Sequence, residues 1–303
     1  MKCSLWVSLV VACSTNNASP MSDGAAVSDG DATSLDAAPD TVADSGVRSV
    51  NSPGTSALLD QMKQNDAKNY ETSVSAGVKF LPTKDGMSFY AYWLPSDFDT
   101  TKNGFVVSLH GHGSFVSSDF VAWQNDLASR KYGFIALQWW FGRDQTPADY
   151  YLPSEIYPEL QRELAEQKVV TGKLLLHGFS RGAAQTYALT AMDKASPSPL
   201  FRMTIANAAG VFSTYEPNAE VEAGKYGALP YTGTSWVLFC GGKDPEPDQS
   251  GCPAMEKSRT WIEKYGGKIE LFINDPTASH GGFQTNSANS AKALDVYRSL
   301  TGF

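Results

Sequence analysis

Histidine and cysteine, the residues that most often bind structural or catalytic metals, are scarce in this sequence. The chain of 303 residues has only four residues of each type. No Cys-x-x-Cys and no His-x-x-x-His pattern occurs, so the ligand spacing that is typical of zinc sites is missing. We therefore predict a protein that uses no metal ion and no cofactor.

The sequence also lacks an excess of positive charge and any long apolar run. Lys and Arg total 24 against 32 Asp and Glu, which gives a net charge of −8. Nucleic acids and anionic membrane surfaces attract clustered Lys and Arg, so we predict neither as the main partner. No segment is long and apolar enough to span a bilayer. The hydrophobic content of 42% is sufficient for one large domain with a tail.

Residues 1–13 have the pattern of an export signal. One positive charge precedes a short apolar stretch, Leu5–Ala12, which is too short to cross a membrane. The residues Val10-Val11-Ala12-Cys13 resemble a bacterial lipobox, and this resemblance implies a lipid anchor on Cys13 as the only membrane contact. The alternative is an ordinary secretory signal cleaved near Ala12 or Ala18. Both predict export, either as a membrane-anchored lipoprotein at the cell surface or periplasm, or as a secreted protein.

The segment 14–56 has almost no large apolar side chains. It consists mainly of Ser, Ala, Asp, Gly, Thr and Pro. Such a segment cannot bury enough surface to offset the entropy cost of ordering, so we predict a disordered acidic linker. A folded domain is predicted over 57–303. Within it, residues 58–70 form a helical segment, and the main part begins near Ser73.

Two cysteines lie in the predicted domain, Cys240 and Cys252. Because an exported protein folds in an oxidising environment, we predict a disulfide between them. Such a bridge would hold the loop that contains Asp244. General stabilisation of an exported protein is the alternative reason for it.

A Gly-x-Ser-x-Gly motif stands at the centre of the domain, in Gly178-Phe179-Ser180-Arg181-Gly182. An apolar run of strand length precedes it and a helical pattern follows it at once. A serine in that context lies on a sharp strand-to-helix turn, with its hydroxyl exposed at the end of a sheet. The two glycines fit such a turn, because backbone and helix approach so closely that side chains would clash.

Apolar strand patterns alternate with helical patterns along the domain. This order predicts a mostly parallel sheet with helices on both faces, and the first two strands predict an antiparallel hairpin at its start. Residues 209–232, between the sixth and the seventh predicted strand, are irregular. The predicted strands are 78–81, 89–94, 105–110, 134–139, 174–177, 203–207, 236–240 and 269–273; the predicted helices are 119–130 (capped by Ser117 or Ser118), 154–167, 181–194, 253–265 and 287–300.

Sites in open parallel sheets form at the carboxyl ends of the strands. Four strand ends carry residues with catalytic chemistry, in the order His110–Ser114, Ser180, Asp244 and His280. A serine hydroxyl needs a base such as imidazole to become nucleophilic, and a carboxylate fixes the imidazole tautomer. The sequence therefore places a complete set of groups for acyl transfer at one edge of the sheet.

On these residues the chain resembles the α/β-hydrolase family, from about Ser73 to Phe303. The resemblance implies a serine hydrolase domain of the esterase-like type with a small lid. It implies Ser180 as nucleophile, Asp244 as acid and His280 as base. It also implies that the backbone N–H groups of His112 and Arg181 form the oxyanion hole.

Other residues near these strand ends leave alternatives open. Asp248 or another carboxylate, such as Asp275, could replace Asp244 as the acid. His177, at the end of a buried strand, is more typical of a structural residue, and the side chains of His110 and His112 are more typical of a loop scaffold than of a base. The aromatic side chains after the fourth strand form either a substrate-stacking platform or part of the core, and they are Trp139, Trp140, Tyr150 and Tyr151.

The predicted function is hydrolysis of a carboxylic ester through an acyl-enzyme. The short irregular segment 209–232 indicates an open site, which suits a bulky or polymer-linked ester of the feruloyl, acetyl-sugar or polyester type. The alternatives are a serine peptidase of the same fold and a non-catalytic surface-binding lipoprotein. The sequence gives no indication of the oligomeric state.

Overall fold

The computed structural model describes residues 49–144 and 146–303. The predicted signal, Cys13 and most of the predicted linker lie outside this part. The helices are α1 Thr55–Asn65, α2 Ala67–Ser75, α3 Val116–Arg130, α4 Pro153–Glu166, α5 Arg181–Ala195, α6 Glu216–Glu222, α7 Cys252–Lys264, α8 Gly282–Thr285 and α9 Ser287–Thr301. The strands are β1 Lys79–Pro82, β2 Phe89–Trp93, β3 Phe105–Leu109, β4 Gly133–Leu137, β5 Leu174–Phe179, β6 Phe201–Asn207, β7 Ser235–Gly241 and β8 Lys268–Asp275.

The strands form one sheet in the order β1-β2-β4-β3-β5-β6-β7-β8. β2 runs antiparallel to both β1 and β4, and all other neighbours are parallel. The predicted sheet type, including its antiparallel start, is therefore confirmed. β3 and β4 are buried at every residue, as expected for strands that are covered on both faces.

The strand order reverses between β3 and β5. From β3 the chain continues outward to β4, whereas from β5 it continues to β6 on the other side. Loops that leave adjacent strands in opposite directions open a crevice at the carboxyl edge of the sheet. Leu109 and Gly178 are paired at that point. The loop after β3 and the Gly-x-Ser-x-Gly turn therefore begin side by side.

Helices cover both faces of this sheet. α3 packs with α9 on one face, and α5 packs with α4 and α6 on the other. α7 joins the second face, where Met255 and Ile262 contact Tyr187 of α5 and Trp236 of β7 in one apolar cluster. Within the described residues, no helix is long and apolar enough to cross a membrane.

The amino-terminal helices are an integral part of the domain. Leu58 and Met62 of α1 are fully buried in the main apolar core. Hydrogen bonds reach even further back, because Asn51 N–H donates to Ala148 O and Ser52 Oγ donates to Met87 O. Two residues before the predicted boundary at residue 57 thus have hydrogen-bond partners in the domain.

The structure differs from the predicted elements at the start of α3 and in the segment 209–232. α3 begins at Val116 rather than Asp119, and neither Ser117 nor Ser118 caps it. Both serine hydroxyls instead donate to Asp66, which lies between α1 and α2. The segment 209–232, predicted as irregular, contains the short helix α6.

Candidate active site

Ser180 occupies a strained turn between β5 and α5. Its φ is 52° and its ψ is −123°, a backbone conformation that residues with a Cβ atom rarely adopt. Its N–H donates to the carbonyl oxygen of Asn207 at 2.9 Å, and its own carbonyl oxygen accepts from Ala183 and Ala184 in the first turn of α5. The turn thus holds the Ser180 hydroxyl at the carboxyl edge of the sheet.

The two glycines of the motif are required by close backbone approach. A Cβ atom on Gly178 would lie 2.4 Å from the carbonyl oxygen of Gly182. A Cβ atom on Gly182 would lie 2.1 Å from the carbonyl oxygen of Leu109 at the end of β3. Any side chain at either position would therefore force the strand and the helix apart.

Ser180, His280 and Asp244 form one hydrogen-bonded chain. His280 Nε2 lies 2.9 Å from Ser180 Oγ, and His280 Nδ1 lies 2.7 Å from Asp244 Oδ2. The Asp244 side chain is only 1% exposed, whereas that of His280 is 33% exposed. The acid is therefore shielded from water while the imidazole and the serine remain accessible to a substrate.

Asp244 is held in its ionised form. Its other oxygen, Oδ1, accepts hydrogen bonds from Ser250 Oγ at 2.8 Å and from Glu246 N–H at 2.9 Å. Burial by itself would raise the pKa of Asp244, but the hydrogen bonds from His280, Glu246 and Ser250 outweigh it and lower that pKa below its ordinary value. The carboxylate is thus oriented and negatively charged opposite the imidazole.

The alternative acids do not contact His280. Asp248 has a side chain that is 83% exposed, and its nearest charged partner is Lys257 at 4.0 Å. Asp275 accepts hydrogen bonds from Thr277, Asn286 and Asn289. Of the three carboxylates, Asp244 is the one bonded to the imidazole.

Backbone contacts tie the loop of Asp244 to the loop of His280. Gly242 N–H donates to Asp275 O at 2.8 Å, and Lys243 N–H donates to Ala278 O at 2.9 Å. A disulfide joins Cys240 to Cys252 across the loop of Asp244, as predicted. The two loops therefore form one connected unit.

The loop after β3 lies directly beside Ser180. A Cβ atom on Gly111 would lie 3.5 Å from Ser180 Cβ. Arg181 is the first residue of α5, next to Ser180 in the chain. The structure therefore brings the backbone of Arg181 and the loop that contains His112 to the same serine.

The four aromatic residues after β4 are buried, and two of them contact the loop after β3. All four are between 1% and 8% exposed: Trp139, Trp140, Tyr150 and Tyr151. The Trp139 ring stacks on His110 and donates its Nε1–H to His110 O at 2.9 Å. Trp140 contacts His112 edge-on. The burial of these side chains favours the core-packing alternative, and the substrate-stacking role stays a prediction.

The two buried histidines, His110 and His177, are neutral structural groups. Burial lowers the pKa of His177 to about 3 and that of His110 to about 4. His177 Nδ1 lies 2.8 Å from Ser108 Oγ, and His110 Nδ1 lies 2.7 Å from Gly111 O. Neither imidazole contacts Ser180 Oγ through a hydrogen bond.

Two polar residues of the site, Ser250 and Asn207, were not predicted as site residues from the sequence. Ser250 binds Asp244, and the Asn207 carbonyl oxygen accepts from Ser180. Asn207 is the last residue of β6, so the strand-end rule could have found it. Ser250 lies in a loop, and no pattern in the sequence indicates its partner. Among the described residues, no group of three or more His, Cys, Asp or Glu side chains could hold a metal ion.

Comparisons with solved structures find esterases of the same architecture. A thermostable esterase is 16% identical, with a TM-score of 0.51 over 73% of this chain, which spans 61% of that esterase's length. An esterase from the fungus Rhizomucor miehei is 12% identical, with a TM-score of 0.55 over 85% of this chain and 99% of its own. A thermophilic esterase from Thermogutta terrifontis with butyrate bound is 16% identical, with a TM-score of 0.54 over 76% and 96%. No protein-family model and no curated protein matches the sequence.

Proposed function

The chain has the α/β-hydrolase fold, and from that premise we propose that it hydrolyses carboxylic esters through an acyl-enzyme on Ser180. The observation that supports this most is the hydrogen-bonded chain from Asp244 through His280 to Ser180 at the strand-to-helix turn. The two distances support Ser180 as nucleophile, His280 as base and Asp244 as the acid that orients it.

The first half of the proposed reaction forms the acyl-enzyme. Ser180 Oγ attacks the ester carbonyl carbon while His280 Nε2 takes the hydroxyl proton. The carbonyl oxygen becomes negatively charged, and the N–H groups of His112 and Arg181 stabilise it in this proposal. The C–O bond to the alcohol then breaks, and His280 returns the proton to the leaving alcohol.

The second half releases the acid. A water molecule takes the place of the alcohol, His280 Nε2 removes one of its protons, and the hydroxide oxygen attacks the acyl carbon. The bond to Ser180 Oγ breaks, the serine regains its proton from His280, and a carboxylic acid leaves. One ester and one water thus give one acid and one alcohol.

Asp244 acts through His280 in both halves. Its buried carboxylate accepts a hydrogen bond from His280 Nδ1–H, which keeps the proton on Nδ1, so Nε2 presents a lone pair to the serine. The same negative charge stabilises the imidazolium each time His280 holds the proton. This charge is effective because the carboxylate is shielded from solvent.

An open site supports the bulky or polymer-linked ester as the substrate class. Between β6 and β7 the chain forms only the seven-residue helix α6, which packs on α5. The His280 side chain is one-third exposed. A surface site of this kind admits an ester that is part of a larger molecule. Export and a lipid anchor at Cys13 remain predictions of the sequence.

Steady-state kinetics of matched variants test the proposed function. We expect hydrolysis of short p-nitrophenyl esters, with Asp244→Asn lowering kcat by about four orders of magnitude because the wrong imidazole tautomer is then held. Ser180→Ala should abolish acyl-enzyme turnover. Asp248→Asn is the control, because this exposed residue has no contact with His280, and its kcat should equal that of the wild type. Faster hydrolysis of p-nitroanilides than of esters would indicate a peptidase instead. A large loss of kcat in Asp248→Asn would contradict the assignment of Asp244 as the acid.

A further inference from the structure

Asn207 contacts the nucleophile through its main chain. It is the last residue of β6, and its carbonyl oxygen accepts the Ser180 N–H at 2.9 Å. This bond joins the strained turn to the neighbouring strand. Any shift of Asn207 therefore moves the backbone from which the Ser180 hydroxyl projects.

The side chain of Asn207 contacts the segment that carries His280. Asn207 Nδ2 donates to Gln284 Oε1 at 3.0 Å. Gln284 belongs to α8, which begins two residues after His280. The same amide nitrogen lies 3.3 Å from His177 Nε2, below the turn. One residue thus links the nucleophile turn, a buried histidine and the helix behind the base.

Stability alone does not account for an amide at this position. Asn207 is fully buried, and its Oδ1 has no hydrogen-bond partner. Leaving a buried acceptor unpaired costs folding stability, which an apolar side chain of similar size would avoid. The amide is better explained by the contacts of its Nδ2 atom at the site than by folding stability.

Ring contacts around α8 do not fix its position along the sheet. Phe283 stacks on His177 with ring centroids 5.7 Å apart, and it contacts Trp123 and Phe239 edge-on. These apolar contacts set how closely α8 approaches the sheet, but they are not directional. Two side-chain hydrogen bonds give α8 directional contacts: Asn289 Nδ2 donates to Gly282 O, and Asn207 Nδ2 donates to Gln284 Oε1. The second of them joins α8 to β6, the strand whose last residue binds the Ser180 turn.

We infer that Asn207 is a positioning residue, which sets the distance between Ser180 and His280 by binding the nucleophile turn with its carbonyl oxygen and the His280 segment with its amide. The inference rests on the proposed function, because it concerns how Ser180 and His280 are placed for that reaction. It gives this role to a residue outside the Asp244–His280–Ser180 chain. It predicts that the bond to Gln284 contributes to turnover rather than to substrate binding.

Near-isosteric apolar variants on both sides of the bond test this inference. Asn207→Leu, Gln284→Met and the double variant would be compared for kcat, KM and melting temperature on a p-nitrophenyl ester. We expect kcat to fall about tenfold in each single variant with KM unchanged, since misplacing reacting groups by a fraction of an ångström is costly. The double variant should be no slower than the slower single variant, because both changes remove the same hydrogen bond.

A matched control lies on the same strand. Thr204 is fully buried in β6 and shares a hydrogen bond of 2.9 Å with Thr190, away from the nucleophile. Thr204→Val removes a buried polar contact of β6 and should leave kcat unchanged, whatever it does to the melting temperature.

The outcomes separate the inference from the proposed function. Folded Asn207→Leu and Gln284→Met proteins with wild-type kcat would overturn the positioning role while the wild type remains an esterase. Losses of kcat that add up in the double variant, or that occur equally in Thr204→Val, would also overturn it. A wild type without ester hydrolysis would overturn the proposed function, and the positioning role with it.

Discussion

At the scale of single residues, burial decides which titratable groups can do chemistry. Asp244 is buried but ionised, because three donors surround its carboxylate. Asp119 in α3 is also buried, yet its Oδ2 has no hydrogen-bond partner. Burial raises the pKa of Asp119 to about 7, and a hydrogen bond with Ser108 lowers that pKa only in part. The first carboxylate can orient a histidine, whereas the second is an uncompensated charge once it ionises.

Asp119 makes the folding stability dependent on pH. In the unfolded chain its pKa is near the ordinary 3.8, so between this pH and about 7 the folded chain holds one more proton. The stability contributed by the neutral carboxyl is therefore full below pH 3.8 and lost as the pH rises through 7. Asp119→Asn cannot ionise and avoids this loss. We expect it to equal the wild type at pH 4 and to exceed it by about 4 kcal/mol at pH 8.

Urea unfolding at several pH values measures this difference. The buried His110 and His177 titrate in the wild type and the variant alike, so their contributions cancel in the comparison. Asp248→Asn, at an exposed position, serves as the control. A stability difference between wild type and Asp119→Asn that stays constant from pH 4 to pH 8 would contradict the account.

At the scale of elements, the alternation of strands and helices predicted the sheet and its order of site residues. The predictions of single elements were less accurate, because they depend on contacts between distant parts of the chain. α3 begins earlier than predicted because Asp66, far away in the sequence, binds the hydroxyls of Ser117 and Ser118. The pattern of the aromatic residues after β4 is compatible with a platform or with a core, and their burial in the structure favours the core.

The contact between Asp66 and α3 predicts a role for the amino-terminal helices. α3 follows the loop of His112, and its first N–H, on Val116, donates to the buried Gln138 at 3.1 Å. Asp66 also accepts from Asn69 at 2.7 Å, so it joins α2 to the start of α3. We expect Asp66→Ala to lower the free energy of unfolding by about 1–2 kcal/mol, as loss of a helix-start anchor does.

Because the start of α3 fixes the end of the His112 loop, Asp66→Ala should also reduce kcat several-fold. Denaturant unfolding and ester kinetics on the same preparation measure both effects. The control is Asp60→Ala, which breaks an exposed pair with Lys63 on α1 and should change stability by less than about 0.5 kcal/mol. Equal effects of the two substitutions would show that Asp66 is an ordinary surface carboxylate.

At the scale of the whole molecule, all groups of the proposed reaction lie at one edge of the sheet. The reversal of strand order places the loop after β3 beside the turn after β5. The ends of β7 and β8 supply Asp244 and His280 on two loops that are bonded to each other. The sequence predicted these four places from strand ends alone, and the same rule could have found Asn207 at the end of β6. Ser250 and Asp66 emerge only from the folded chain, because they lie in a loop and between two helices.

The central claim is that ester hydrolysis passes through an acyl group on Ser180. Rapid mixing with p-nitrophenyl acetate, followed by acid quench and peptide mass spectrometry, tests it most directly. The account predicts a burst of p-nitrophenol that approaches one equivalent per chain, with the acetyl group on the peptide of Ser180 and none in Ser180→Ala. Turnover without any acetylated peptide, or acetylation elsewhere that persists in Ser180→Ala, would contradict it.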